Sequence, residues 1–115
     1  MNRALRDREY LAHICGAIER IQRYLSGKSE SDFMADELIQ DGVMRNLEII
    51  GEAVSKLSPE LKLRHGDVPW HEISGMRNRL IHGYMDVNLE IVWDTVATVL
   101  PEFLGRVQEI QKTFK

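Results

Sequence analysis

With 115 residues, 43% of them hydrophobic and 29% charged, the chain is long enough for one buried core and too short for two. A net charge of −3 and a pI near 5.8 exclude a broad basic face that coats nucleic acid, though not a small cleft gripping a few phosphates. No apolar run reaches the length of a membrane span, and the start Met1-Asn2-Arg3-Ala4-Leu5-Arg6-Asp7-Arg8 lacks a signal peptide's apolar block, so a cytoplasmic location with no membrane partner is expected.

Residues from about Leu5 to Leu25 predict a first long helix. Leu11, Ile14, Cys15, Ile18, Ile21 and Leu25 recur at three- and four-residue steps, the period of one buried face. Gly27 is the expected stop. Cys15, the single cysteine, excludes an internal disulfide and reads as a small buried apolar residue, with a reactive thiol as the alternative. His13 lies beside the stripe as a polar-face or interface histidine, and no second ligand accompanies it.

Ser29 to Asp32 offer N-caps for the next segment, helical in pattern from Phe33 to about Leu57. Phe33, Leu38, Val43, Leu47, Ile50, Val54 and Leu57 are its inward positions, and Gly42 is where an interruption is expected. Gly51 in mid-helix costs on the order of 1 kcal/mol against alanine. Close packing of two helix backbones would be a reason to tolerate it. Glu48 and Glu52 share a face and repel mildly unless a cation is near. They form either a solvated acidic edge or, through Glu52, a partner that orients Arg77 or His82.

Ser58-Pro59-Glu60 breaks the pattern, and Leu61 to Val68 is expected as a connection exposing Lys62, Arg64 and His65. That group is either a solvated loop or a small basic patch for RNA. Pro69 fits the first turn of a new helix, Trp70 reads as a core anchor in preference to a base-stacking platform, and Ile73, Met76, Leu80 and Ile81 supply the buried face. Asp86 or Asn88 can cap a last helix from about Leu89 to Gln111, with the stripe Val92, Val96, Val99, Phe103, Val107 and Ile110. Pro101 should kink it or remove a hydrogen bond. The chain has no internal repeat, no strand alternation, no Walker loop, no dinucleotide fingerprint and no zinc-type ligand spacing. The expected fold is all-α: one domain over 1–115, an antiparallel four-helix bundle with or without one extra short helix.

The chemistry concentrates in Met76-Arg77-Asn78-Arg79-Leu80-Ile81-His82-Gly83-Tyr84. Arginine presents a planar donor fork suited to phosphate oxygens, and histidine exchanges protons near neutral pH. The bland alternative is a helix end with solvated arginines and a capping histidine. Arg77 and His82 lie five positions apart, so on one unbroken helix they diverge by about 140° and roughly 7.5 Å. Either the helix ends near Gly83 and swings His82 and Tyr84 round, or a second copy supplies the missing partner. The two explanations are compatible.

Arg77, His82 and Tyr84 in this spacing resemble the signature of the HEPN superfamily, and more specifically of HepT-like ribonuclease toxins. Ile49-Ile50-Gly51-Glu52-Ala53, Pro69-Trp70-His71-Glu72-Ile73, Gly75-Met76-Arg77-Asn78 and Val92-Trp93 follow in the family's order, covering roughly Tyr10 to Leu104. The resemblance implies the toxin of a type VII-like toxin–antitoxin system: a homodimer that cuts RNA (tRNA or mRNA) without metal or other cofactor. It also implies an MntA-like nucleotidyltransferase antitoxin that attaches AMP to Tyr84. For Tyr84 the plain alternative is an amphipathic residue at the core edge.

In that chemistry the RNA 2′-hydroxyl is the nucleophile and the products carry 2′,3′-cyclic phosphates. His82 acts as general base or acid, and Arg77 stabilises the transition-state oxygens. Asn78 positions substrate, and Arg79 adds charge or faces solvent. One histidine cannot be base and acid at once, which favours a site on a twofold interface. The competing class is a non-catalytic helical adaptor that docks on a nucleotidyltransferase, with Arg77 on a triphosphate. Growth arrest relieved by His82→Ala separates the nuclease from the adaptor.

Overall fold

Leu11, Ile14, Cys15, Ile18 and Ile21 form the buried face of α1 (Arg3–Leu25). The structure, a computed structural model, describes residues 3–80 and 87–114, apart from the side chains of 4, 77 and 80. Beyond α1, Gly27 has φ 73°, in the left-handed region that glycine enters without penalty, and it turns the chain. α2 (Glu30–Met34) opens with a reciprocal capping box. The Asp32 N–H donates to Ser29 Oγ at 3.1 Å and the Ser29 N–H donates to the Asp32 carboxylate at 2.9 Å.

α3 (Glu37–Lys56) begins at Asp36, whose Oδ1 accepts the Ile39 N–H at 3.2 Å. The interruption therefore falls at Ala35 and Asp36 and not at Gly42, because Asp36 can cap a new helix. Gly42 stays helical, its bare side facing the Tyr24 ring, 3.1 Å from where a Cβ would stand. Leu38, expected inward, is 82% exposed. It precedes Val43 by five positions and so points about 140° away from the Val43, Leu47, Ile50 and Val54 stripe. Phe33 is fully buried against Trp93, ring centroids 5.6 Å apart.

α1 and α3 run antiparallel. Tyr24 meets Gly42, the Arg20 Nε donates to Asn46 Oδ1 at 2.8 Å, and Asp7 meets Ser58. Asn46 is buried and donates in turn to the Gly42 carbonyl at 2.8 Å, so its amide is satisfied inside the bundle.

Ser58 starts α4 (Pro59–Arg64) where a connection was expected. Serine followed by proline is a helix start as well as a break: Ser58 Oγ accepts the Leu61 N–H at 3.2 Å, and Pro59 occupies the first turn. Of the three residues expected to be exposed, Arg64 is, whereas Lys62 and His65 are half-buried. The His65 carbonyl accepts the Trp70 indole N–H at 3.0 Å. Trp70 is buried and edge-on to Phe103, centroids 5.9 Å apart. It is a core anchor, as its place in the sequence suggests.

The helix expected from Pro69 onward is divided into α5 (Trp70–Ser74) and α6 (Met76–Leu80), with Gly75 between them and Pro69 just ahead of the first turn. Asn88 caps α7 (Leu89–Asp94), its Oδ1 accepting the Ile91 N–H at 3.1 Å. α7 passes through a π-helical turn (Thr95–Val99) into α8 (Leu100–Gln111). A proline ring clashes with the carbonyl four residues back. The wider turn just ahead of Pro101, closed by the Leu100 N–H on the Thr95 carbonyl, absorbs that conflict. It also rotates the stripe by one residue: Leu100 is buried, and Val99, expected inward, is 42% exposed. α8 lies along α1, where the Cys15 thiol donates to Gln111 Oε1 at 3.5 Å. Burial pushes that thiol up, with Glu19 adding to the effect, as suits a packed cysteine rather than a reactive one. The architecture is an all-α, HEPN-like bundle of α1, α3, α5–α6 and α7–α8. Two short helices, α2 and α4, join it where one at most was expected. The expectations for Ile81, Gly83 and Asp86, and for burial of the Leu80 side chain, lie outside the described residues.

Candidate functional site

Glu48, Glu52 and Ser55 recur along one edge of α3 at three- and four-residue steps, and Ser74 and Asn78 face them from α5 and α6. With Gly51 they line an open cleft of about 340 Å³. Its width is set by Gly51, since a Cβ there would stand 3.2 Å from the Ser74 carbonyl oxygen. The close packing of two helices offered as a reason for a mid-helix glycine is present.

The α3 edge of the cleft is acidic. Glu52 Oε1 lies 3.7 Å from Lys56 Nζ in an exposed pair, and the half-buried Glu48 has its Oε2 3.8 Å from Nη1 of the exposed Arg45; both are of the weakly stabilising kind. The Ser55 hydroxyl donates to the Glu52 carbonyl at 2.7 Å and the Ser74 hydroxyl donates to the His71 carbonyl at 3.0 Å. Each donor is used, which leaves both oxygens as acceptors. The α3 cations nearest the cleft, Arg45 and Lys56, are paired with its two glutamates, so a phosphodiester there would draw further positive charge from α6 or from another chain.

Asn78 and Glu52 thus share one cleft. Arg79 is exposed and runs back along α5, its Nη2 donating to the Glu72 carbonyl at 3.0 Å. Arg77 occupies the α6 position immediately before Asn78, and its side chain lies outside the described residues, as do His82 and Tyr84. Among the described residues no three His, Cys, Asp or Glu side chains are grouped as metal ligands, and no helix is long and apolar enough to cross a membrane. A second hollow of about 270 Å³, floored by Pro69, Ile73 and Phe103, contains none of the described motif residues.

The Ribonuclease HepT-like family matches residues 14–110, a stretch that includes α3 and the motif from Arg77 to Tyr84. The chain belongs to the HepT-like ribonuclease family. It is 44% identical over 103 residues to a predicted RNase of Caldanaerobacter subterraneus subsp. tengcongensis, covering 90% of this chain and 92% of that one. It is 36% identical over 105 residues to the probable ribonuclease HepT of Thermococcus cleftensis, covering 91% and 96%. A predicted RNase of Methanocaldococcus jannaschii is 33% identical over 105 residues, covering 91% and 87%. No solved structure matches at a significant level.

For this HepT-like ribonuclease, the cleft adds Ser55 and Ser74 to the residues that the sequence singled out. Ser55 was within reach of periodicity, being one helical step beyond Glu48 and Glu52. Ser74 was not, because only the packing of α5 on α3 brings it to that edge.

Proposed function

We propose that the chain is a metal-independent endoribonuclease that cuts RNA by 2′-hydroxyl attack. The observation that carries this reading is the placement of Asn78 from the motif opposite Glu52, in a family of ribonucleases, with Arg77 adjacent in α6. His82 removes the 2′-hydroxyl proton as the 2′-oxygen attacks phosphorus, and the bond to the 5′-oxygen breaks. The leaving oxygen takes a proton from the imidazolium of a second His82, leaving a 2′,3′-cyclic phosphate and a 5′-hydroxyl. Arg77 offsets charge on the non-bridging oxygens, and Asn78 positions the strand. A twofold homodimer supplies the second histidine and arginine. The carboxylate of Glu52 suits the task of orienting a guanidinium or an imidazole at the rim.

Tyr84 is the control point. AMP transferred to its hydroxyl by an MntA-like nucleotidyltransferase antitoxin would add bulk and negative charge two residues from His82, where the scissile phosphate must sit. This makes the chain the toxin of a type VII-like toxin–antitoxin system.

Incubation of the purified chain with total RNA, followed by end-group analysis, tests the assignment. Cyclic phosphate ends that persist in chelator and vanish in Arg77→Ala and His82→Ala are the expected result. Intact RNA with the wild-type chain, joined to harmless expression and stable co-purification with a nucleotidyltransferase, would favour the adaptor role instead. Tyr84→Phe should cut RNA yet escape the antitoxin, and full neutralisation of that variant would remove the switch.

A further inference from the structure

Ile73 and Ser74 are successive residues of α5, about 100° apart round the helix. Ser74 lines the acidic cleft, and Ile73 floors the separate hollow of about 270 Å³. Val68, Ile73 and Phe103 give that hollow a buried apolar floor, and Val99, turned outward by the π-helical turn, forms one wall. Asp67, Glu102 and Arg106 stand at its rim. Arg106 is shared between Asp67 at 2.7 Å and Glu109 at 3.4 Å, while Glu102 has no ion pair among the described residues. Negative charge therefore outweighs positive at the mouth.

α4 carries the complementary shape. Leu63 is 82% exposed and stands between Lys62 and Arg64. Neither cation is in an ion pair among the described residues. Arg64 acts on Glu60 only through its field, and the Arg3 hydrogen bond is the main cause of that carboxyl's lowered value. A protruding aliphatic residue flanked by positive charge thus lies four and six positions before Asp67 and Pro69 of the hollow. Its exposure shows that it does not enter the hollow of its own chain.

Because both halves belong to one short stretch, a twofold axis beside it brings each copy's Leu63 to the other copy's hollow, making both contacts at once. Such a contact closes on itself instead of growing into a fibre. The opposite charges at the mouth fix its register.

We propose that a second copy of this chain docks here, its Leu63 seated over Val68, Ile73 and Phe103 and its Arg64 against Glu102. The contact goes beyond the ribonuclease reading and does not depend on it, since the hollow contains none of the described motif residues. Where the motif also pairs two chains, this docking joins those pairs into a larger assembly.

Sedimentation equilibrium over a concentration series reads the association. Leu63→Ser should raise the dissociation constant about tenfold, the order expected when one buried aliphatic side chain is lost. Leu38→Ser is the control, because Leu38 on α3 is also 82% exposed and has no place in the contact. It should match wild type. Arg64→Glu and Glu102→Arg should each weaken association, and Arg64→Glu/Glu102→Arg together should return it to within about twofold of wild type. All are surface changes, and circular dichroism should show the wild-type helix content in each. Equal association by wild type and Leu63→Ser at every concentration overturns the proposal and leaves the hollow to a different protein. An equal loss in Leu38→Ser overturns it as well, as does a double variant no tighter than the single ones. RNA cleavage does not enter the measurement, so a failure here leaves the ribonuclease reading untouched, and a failure of that reading leaves the contact standing.

Discussion

Gly51 on α3 and Ser74 on α5 approach so closely that a Cβ on the glycine would stand 3.2 Å from the serine's carbonyl oxygen. Backbone, not a flexible side chain, is what it would meet. Gly51→Leu should therefore destabilise the fold by about 1–3 kcal/mol, as overpacking does, and widen the cleft. Gly105 is the contrast, since nothing lies within 4 Å of its virtual Cβ. Gly105→Ala in α8 should stabilise by about 1 kcal/mol through helix propensity. Urea unfolding of the two variants checks both signs, and equal effects would mean that the close approach is unimportant.

Asp7 anchors the start of α4 from the far side of the sequence by accepting the backbone and hydroxyl hydrogens of Ser58. Asp7→Ala leaves the Ser58 N–H buried without an acceptor, which costs about 1–3 kcal/mol. A stability within 0.5 kcal/mol of wild type, a margin about the size of an ordinary surface substitution, would show that water replaces the carboxylate.

Asn78 and Arg79 are neighbours in the motif with different surroundings. Asn78 lines the cleft, while the Arg79 guanidinium is held on the Glu72 carbonyl. Asn78→Ala should lower kcat/KM on RNA about tenfold, on the order of one hydrogen bond to the substrate. Arg79→Ala should have the smaller effect on kcat/KM and a visible one on stability. The reverse ranking would place Arg79 on the substrate.

The α2 capping box carries a pH signature. The backbone N–H of Ser29, with its hydroxyl second, holds the Asp32 carboxyl below its ordinary value of 3.8. A folded-state value below the unfolded one means that the box stabilises the fold above pH 3.8. That contribution is lost as the pH falls through the lower, folded-state value. Thermal unfolding should find wild type more stable than Asp32→Asn at pH 7, with the gap closing in acid. A gap that widens on acidification would assign the effect to another group.

What the sequence determined by itself is whatever depends on neighbours within about two turns of helix. The α1 stripe, the Ser29 cap, the helical class and the cluster from Arg77 to Tyr84 are of this kind, because helical period and capping chemistry are local. Gly51 was legible too, since a mid-helix glycine is costly enough to need a reason. The tertiary structure decided what depends on distant partners. The exposure of Val99 follows from the π-helical turn ahead of Pro101, and α4 is fixed by Asp7 fifty-one positions away. Ser74 joins the edge of Glu48, Glu52 and Ser55 only because α5 rests against Gly51. Periodicity says which side of a helix is buried; it does not say which other helix covers it, and the cleft is made by that second choice.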